Sequence, residues 1–171
     1  MALVSEDGQA GALVELNCET DFVGMNEKFH AYAEKIATAV IANKPADMDA
    51  LKASEIEGEK VEDVVTDAIH TLGENIQLAR FAYAGQPEGA VASYIHGGGL
   101  VEFKLGDTSF ATNEDFKKYG RDIAMQVAAA SPVAATRESV DPAIIEHEMS
   151  IYKAQAAESG KPENIQEKIA T

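Results

Sequence analysis

Tryptophan is absent, cysteine occurs once, and Lys and Arg together number 14 against 29 Asp and Glu. Each scarcity removes a class of protein. A single thiol, Cys18, cannot close an internal disulfide, which suits a reducing compartment and excludes a disulfide-stapled secreted domain. The formal net charge of -15 works against nucleic acid and anionic membranes, which are held mainly through Lys and Arg. The expected partners are therefore proteins with basic or apolar patches, with no nucleic acid and no membrane. No apolar run approaches the roughly 20 residues a membrane-spanning helix needs. Met1-Ala2-Leu3-Val4-Ser5-Glu6 has neither a basic segment nor a long apolar core, so no secretory signal is visible. The four histidines, His30, His70, His96 and His147, show no HxxxH spacing and no CxxC pair exists. No metal site, no cofactor and no catalytic set is expected. Cys18 with Glu19 and Asp21 can be drawn as a nucleophile with acids or as ligands, but a lone cysteine after a buried strand is usually inert core.

What is present is enough apolar material, 46% of 171 residues, to build one domain or two small subdomains around a real core. The stretch Gly11 to Phe29 organises the chain. Ala12, Val14 and Leu16 alternate with Leu13, Glu15 and Asn17 in a strand expected to be largely buried on both faces. Cys18 to Asp21 breaks the run as a polar link. Asn26 can cap a helix with Phe29, Tyr32, Ala33, Ile36, Ala37 and Val40 on one side, stopped by Pro45. The link carries Thr20, Asp21, Phe22 and Val23, held between two rigid elements where loops tend to carry function.

Leu3-Val4, a turn at Ser5-Glu6-Asp7-Gly8 and Gly11 to Asn17 read as an opening β-hairpin. A short helix is expected from Asp47 to Lys52 within a connecting excursion. Val61, Val64, Val65, Ala68, Ile69 and Leu72 form a helical stripe ended by Gly73, and that helix is expected to pack on the hairpin. Asn75 to Ala84, Ala90 to Ile95 and Leu100 to Leu105 read as strands, the last two joined through Gly97-Gly98-Gly99. Asn113 opens a helix with Phe116, Tyr119, Ile123, Ala124 and Val127 inward, closed by Pro132. Asp141-Pro142 starts another to about Glu158, with Ile144, Ile145, Met149 and Tyr152 as a sparse stripe, and 163–170 reads as a last helical segment.

A shift of 87 residues superposes Leu13-Val14-Glu15 on Leu100-Val101-Glu102, Asn26-Glu27 on Asn113-Glu114, and Pro45 on Pro132, without a gap. The pattern implies an α+β fold of two related subdomains, each a small antiparallel sheet packed against helices, with a helical tail. The boundaries expected are 1–87, 88–135 and 136–171. The repeat fails where Thr20-Asp21-Phe22-Val23 faces Asp107-Thr108-Ser109-Phe110, as a site grafted onto a duplicated scaffold would.

NCETDFVGMNEKF, Asn17 to Phe29, resembles the signature segment of bacterial and organellar elongation factor Ts, the exchange factor for the GTPase elongation factor Tu. LGENIQLARF (Leu72 to Phe81), SYIHGGG (Ser93 to Gly99), RDIAMQVAAASP (Arg121 to Pro132) and GKPENIQEKI (Gly160 to Ile169) resemble further family segments in the family's order. The resemblance implies a non-enzymatic guanine nucleotide exchange factor of the bacterial cytoplasm or of an organellar stroma or matrix. It implies that Asp21 and Phe22, flanked by Thr20 and Val23, insert near the magnesium and phosphate site of elongation factor Tu and loosen GDP. It also implies anchoring contacts from Leu72, Gly73 and His96. On composition alone core filling is the favoured reading of Phe22, and the family resemblance reverses it; Leu72 and Gly73 read equally well as a core residue and a C-cap. His96-Gly97-Gly98-Gly99 matches the oxyanion loop of lipases, but no GxSxG elbow exists, and no Lys-Ser or Lys-Thr follows to make a phosphate loop. The rival reading is an interaction or assembly module that kept the scaffold and lost exchange. The residues leave open whether the chain forms a homodimer. The family begins with a small helical domain and continues into a helical hairpin and a C-terminal module, so a fragment, a processed product or a short member is expected. The segment between His96 and Leu100 is also shorter than in the family.

Overall fold

The structure is a computed structural model that describes residues 1–94 and 99–158. Its elements run β1 (Ala2–Val4), β2 (Ala10–Asn17), α1 (Asp21–Gly24), α2 (Glu27–Asn43), α3 (Met48–Ala53), β3 (Glu55–Ile56), β4 (Glu59–Lys60), α4 (Val61–Leu72), β5 (Gln77–Gly85), β6 (Gly89–Tyr94), β7 (Gly99–Lys104), α5 (Glu114–Ala130) and α6 (Pro142–Glu158). The fold is α+β. The chain divides into two compact units, one spanning Met1–Ala130 and the other starting at Ser131.

In the first unit β2 is the central strand, antiparallel to β1 on one side and to β5 on the other. Ala12, Val14 and Leu16 stand opposite Tyr83, Phe81 and Leu78, and this face meets Ile36, Ala37 and Val40 of α2 in the main core. Burial is deepest here, with Ala12, Ile36, Val40, Leu51 and Val61 fully enclosed. Burial of each larger aliphatic side chain among them, Ile36, Val40, Leu51 and Val61, contributes about 1.5 to 3 kcal/mol. The other face of the sheet is covered by the β6–β7 hairpin. Gly11 allows this closeness, since a Cβ there would stand 2.6 Å from Val91 Cγ1. On the far side of that hairpin lies α5, seated through Gly120, whose added Cβ would be 2.7 Å from the Ala92 Cβ. The layers are therefore helix, sheet, hairpin and helix.

Local chemistry explains the boundaries. Asn26 accepts from the Lys28 N–H at 2.8 Å to open α2, and Lys44 closes it in the left-handed region before Pro45. Asp47 caps α3, which with the short β3–β4 hairpin fills the excursion between the two main helices. Lys35 pairs with Glu59 at 2.8 Å and fastens that hairpin to α2.

Two expectations need correcting. The fourth helix lies mainly against α2 and α3, not on the opening hairpin, because the sheet face is already taken by α2. Tyr119 is not inward but 57% exposed. Gly120, one residue on, makes the close approach and leaves the Tyr119 ring beside Phe103 at the rim, with centroids 6.1 Å apart. The polar link itself forms a helical turn, Asp21–Gly24, after an extended Thr20, and its counterpart is helical as well. Asp107 caps a 3-10 turn, Thr108–Thr112, by accepting from the Ser109 N–H at 2.9 Å, and Phe110 at its centre is 53% exposed. Both segments are short helical turns entered from an extended cap residue, one α and the other 3-10, and they differ in side chains, Asp21-Phe22 standing where the other has Thr108-Ser109. Beyond them α2 and α5 have 17 residues each, and Asn113 opens α5 by accepting from the Asp115 N–H at 3.0 Å.

In the second unit α6 carries Ile144, Ile145, Ile151 and Tyr152 exposed. Residues 163–170, expected to be helical, lie outside the described residues, as do His96, Gly97 and Gly98. Among the described residues no helix is long and apolar enough to cross a membrane.

Candidate functional site

The link between β2 and α2 is a single helical turn. Thr20 supplies its cap: extended at φ -127 and ψ 152, its hydroxyl oxygen accepts from the Val23 N–H at 3.4 Å, while its carbonyl accepts from the Gly24 N–H at 3.1 Å. The Met25 N–H bonds to the Asp21 carbonyl at 3.0 Å and the Asn26 N–H to the Val23 carbonyl at 2.9 Å. The turn thus runs directly into the Asn26 cap of α2. The turn has a packed side and an open side. Val23 is half-buried and packs with Leu16, Cys18 and Leu72 against the small cluster of Phe29, Ala68 and Ile76. Phe22 is 90% exposed and Met25, one turn later, 79% exposed. Asp21 is exposed beside them. Phe22 therefore does not fill the core beneath the link; Val23 does.

Leu72 and Gly73 sit next to this turn. Leu72 is half-buried in the same cluster as Val23. Gly73 ends α4 in the left-handed region, φ 73, with its N–H bonded to the Ile69 carbonyl at 2.9 Å. A glycine tolerates that conformation without the clash a Cβ brings, and it reverses the chain so that the next residue is thrown back across the link.

That next residue, Glu74, is the hydrogen-bonding neighbour of the turn that the sequence did not reveal. Its Oε2 accepts from the Glu19 N–H at 2.9 Å and the Thr20 N–H at 3.0 Å, and its Oε1 accepts from the Thr20 hydroxyl. Glu19 answers by accepting from the Asn75 N–H at 3.4 Å. The Thr20 hydroxyl, then the backbone N–H groups of Thr20 and Glu19, hold the Glu74 carboxyl below the ordinary carboxylate range, against partial desolvation that pushes it up. At the other end of the turn, His30 of α2 places its Nε2 2.8 Å from the Gly24 carbonyl. Met25 also stands exposed on the open side of the turn, and no sequence periodicity marked it. The quoted segment LGENIQLARF contains Glu74, but no local spacing signals a bond to a residue 54 positions away.

The structure thus brings Thr20, Asp21, Phe22, Val23, Leu72 and Gly73 to one corner of the first unit, and His96 lies outside the described residues. Cys18 is half-buried, its thiol donating to the Thr20 carbonyl at 3.4 Å. The corner offers an exposed ring, an exposed carboxylate and a hydrogen-bonded base, a shape suited to entering a groove on another protein.

A family model described as Elongation factor TS matches residues 19–171. Elongation factor Ts of Trichlorobacter lovleyi is 42% identical over 175 aligned residues, covering 98% of this chain and 56% of that protein. Elongation factor Ts of Halorhodospira halophila is 43% identical, with 99% and 56% covered, and that of Clostridium acetobutylicum 41% identical, with 99% and 56% covered. The chain thus spans a little over half the length of these curated relatives. A match of this extent across both described units, on a corner built from the TDFV turn, places the chain in the elongation factor Ts family.

Proposed function

We propose that this chain acts as the core of a guanine nucleotide exchange factor: it binds elongation factor Tu and speeds the release of GDP, making and breaking no covalent bond. The observation that carries the reading is the Phe22 ring, 90% exposed beside Asp21 on a turn whose other side is packed. An exposed aromatic on a rigid corner is costly to leave in water and well suited to a partner groove. A carboxylate brought close to a metal-phosphate cluster competes with the groups that hold the ion. Asp21 and Phe22 carry the disruption, Thr20 and Val23 hold the turn, and Leu72 and Gly73 supply the neighbouring anchor. His96 is assigned to the anchor from the family resemblance.

The mechanism is linkage. Exchange factor and GDP weaken each other's hold on the GTPase by the same factor, so the chain must prefer the empty state and yield to incoming GTP. The net charge of -15 favours a protein partner over nucleic acid or a membrane surface. The site of action is the compartment of the GTPase, the bacterial cytoplasm or its organellar equivalent. The scaffold itself reads as two related halves, 1–87 and 88–135, of which only the first bears the acid-aromatic pair, followed by a helical tail, 136–171.

Stopped-flow release of labelled GDP from purified elongation factor Tu tests the reading. The native chain should accelerate release, and the double replacement of Asp21 and Phe22 by Ala should remove most of that acceleration without changing the fold. A chain that binds the GTPase and leaves the off-rate unchanged is instead an interaction module.

A further inference from the structure

A one-turn helix is a poor platform by itself. Nucleating a single turn fixes several residues for very few hydrogen bonds, and α1 has four residues, none of them buried. Beyond its own bonds, the half-buried Val23, the Cys18 thiol on the Thr20 carbonyl and the long Glu19–Asn75 contact, its start is held by three hydrogen bonds to one carboxylate from a distant part of the chain. The N–H groups of Glu19 and Thr20 converge on Glu74 Oε2 at 2.9 and 3.0 Å, a small concavity of consecutive backbone donors that favours an anion. The Thr20 hydroxyl, held by Glu74 Oε1, is the same group whose oxygen caps the turn at the Val23 N–H. Glu74 therefore sets the rotamer of the cap as well as the path of the backbone entering it.

We propose that Glu74 is a positioning residue of the exchange site: its carboxylate orders the base of the aromatic turn, so that Phe22 meets the GTPase already in its bound orientation. This inference rests on the exchange reading and deepens it. Glu74 lies on the segment after Gly73, so the anchor corner and the wedge are one hydrogen-bonded unit. Loss of the carboxylate leaves three donors without their acceptor and lets the turn sample other conformations. Binding must then order it again, which weakens association without removing any contact surface.

The test uses the full chain with four variants: Glu74→Ala, Glu74→Gln, Phe22→Ala and the double variant Phe22→Ala/Glu74→Ala. In GDP release, Glu74→Ala should raise the half-saturating concentration roughly tenfold, the scale of ordering one loop on binding. Glu74→Gln, which keeps an acceptor oxygen, should recover part of the loss. In the Phe22→Ala background the Glu74 replacement should add little, because it acts through the ring. Hydrogen exchange should quicken at the Gly24, Met25 and Asn26 amides and stay unchanged at Ile36 and Val40 in the core. A normal half-saturating concentration in Glu74→Ala overturns the proposal. So does a loss accompanied by equal quickening in the core, or a full additive effect in the Phe22→Ala background. If the Phe22→Ala variant still accelerates GDP release from the GTPase as the native chain does, the exchange reading has failed, and the amide data alone then report whether Glu74 orders the turn.

Discussion

Replacing Phe22 and Val23 one at a time by Ala separates the two faces of a single helical turn. Val23 packs half-buried against Phe29, Ala68 and Ile76, and α1 has no other apolar anchor. Truncation to Ala removes two methyl-sized groups, each worth about 0.8 kcal/mol when fully buried, so a half-buried site loses about 1 kcal/mol. Phe22 is the larger residue, yet with 90% of its surface already in water its truncation should change stability by no more than about 0.5 kcal/mol. Urea unfolding followed by circular dichroism resolves the difference. With a slope near 2 kcal/mol per molar, Val23→Ala should lower the midpoint by about 0.5 M and Phe22→Ala should leave it in place. A Phe22→Ala midpoint that falls as far as that of Val23→Ala would mean that the ring is packed within its own molecule, and the wedge argument would fail with it.

Two further outcomes follow from the same geometry. Asn26→Ala and Asn113→Ala each remove a cap from a 17-residue helix and should each lower stability by about 1 kcal/mol, read as parallel shifts in the unfolding midpoint. Asp7, Glu15, Glu74 and Asp107 all have carboxyls held below their ordinary range, by Ser5, Arg80, Thr20 and the Ser109 N–H respectively. Because the folded-state values are lowered, their stabilisation is complete above the ordinary carboxylate range, about pH 4, and is lost as pH falls through the lowered values. Thermal midpoints measured from neutral to acid should decline below about pH 4, and Glu74→Gln should show a shallower decline than the native chain.

Much of this was legible from pattern because the informative signals were local. Asn26, the stripe from Phe29 to Val40 and Pro45 sit within one helix, and the structure places α2 between Glu27 and Asn43 as that stretch implies. The stripe ending at Gly73 likewise gives α4 and its left-handed cap. What escaped depends on contacts between distant residues. Four residues are too few to show a helical period, so the turn at Asp21–Gly24 read as a link. Periodicity placed Tyr119 inward, but the close approach of Gly120 to Ala92 decides which side of α5 faces the hairpin. Glu74 read only as part of a family-like segment, since its partners lie 54 and 55 positions earlier. The same limit applies to the order of the sheet, where β5 joins β2 across the whole helical excursion.

The coupling between wedge and nucleotide is tested most directly by calorimetric titration of the chain against nucleotide-free and GDP-loaded elongation factor Tu, with Phe22→Ala alongside. The native chain should bind the empty GTPase more tightly, by a factor of roughly 5 to 150 for a coupling of ordinary size, and Phe22→Ala should bring the two affinities close together. A preference for the empty form that survives loss of the ring unchanged would contradict the account, because the displacement of GDP would then come from somewhere other than Phe22.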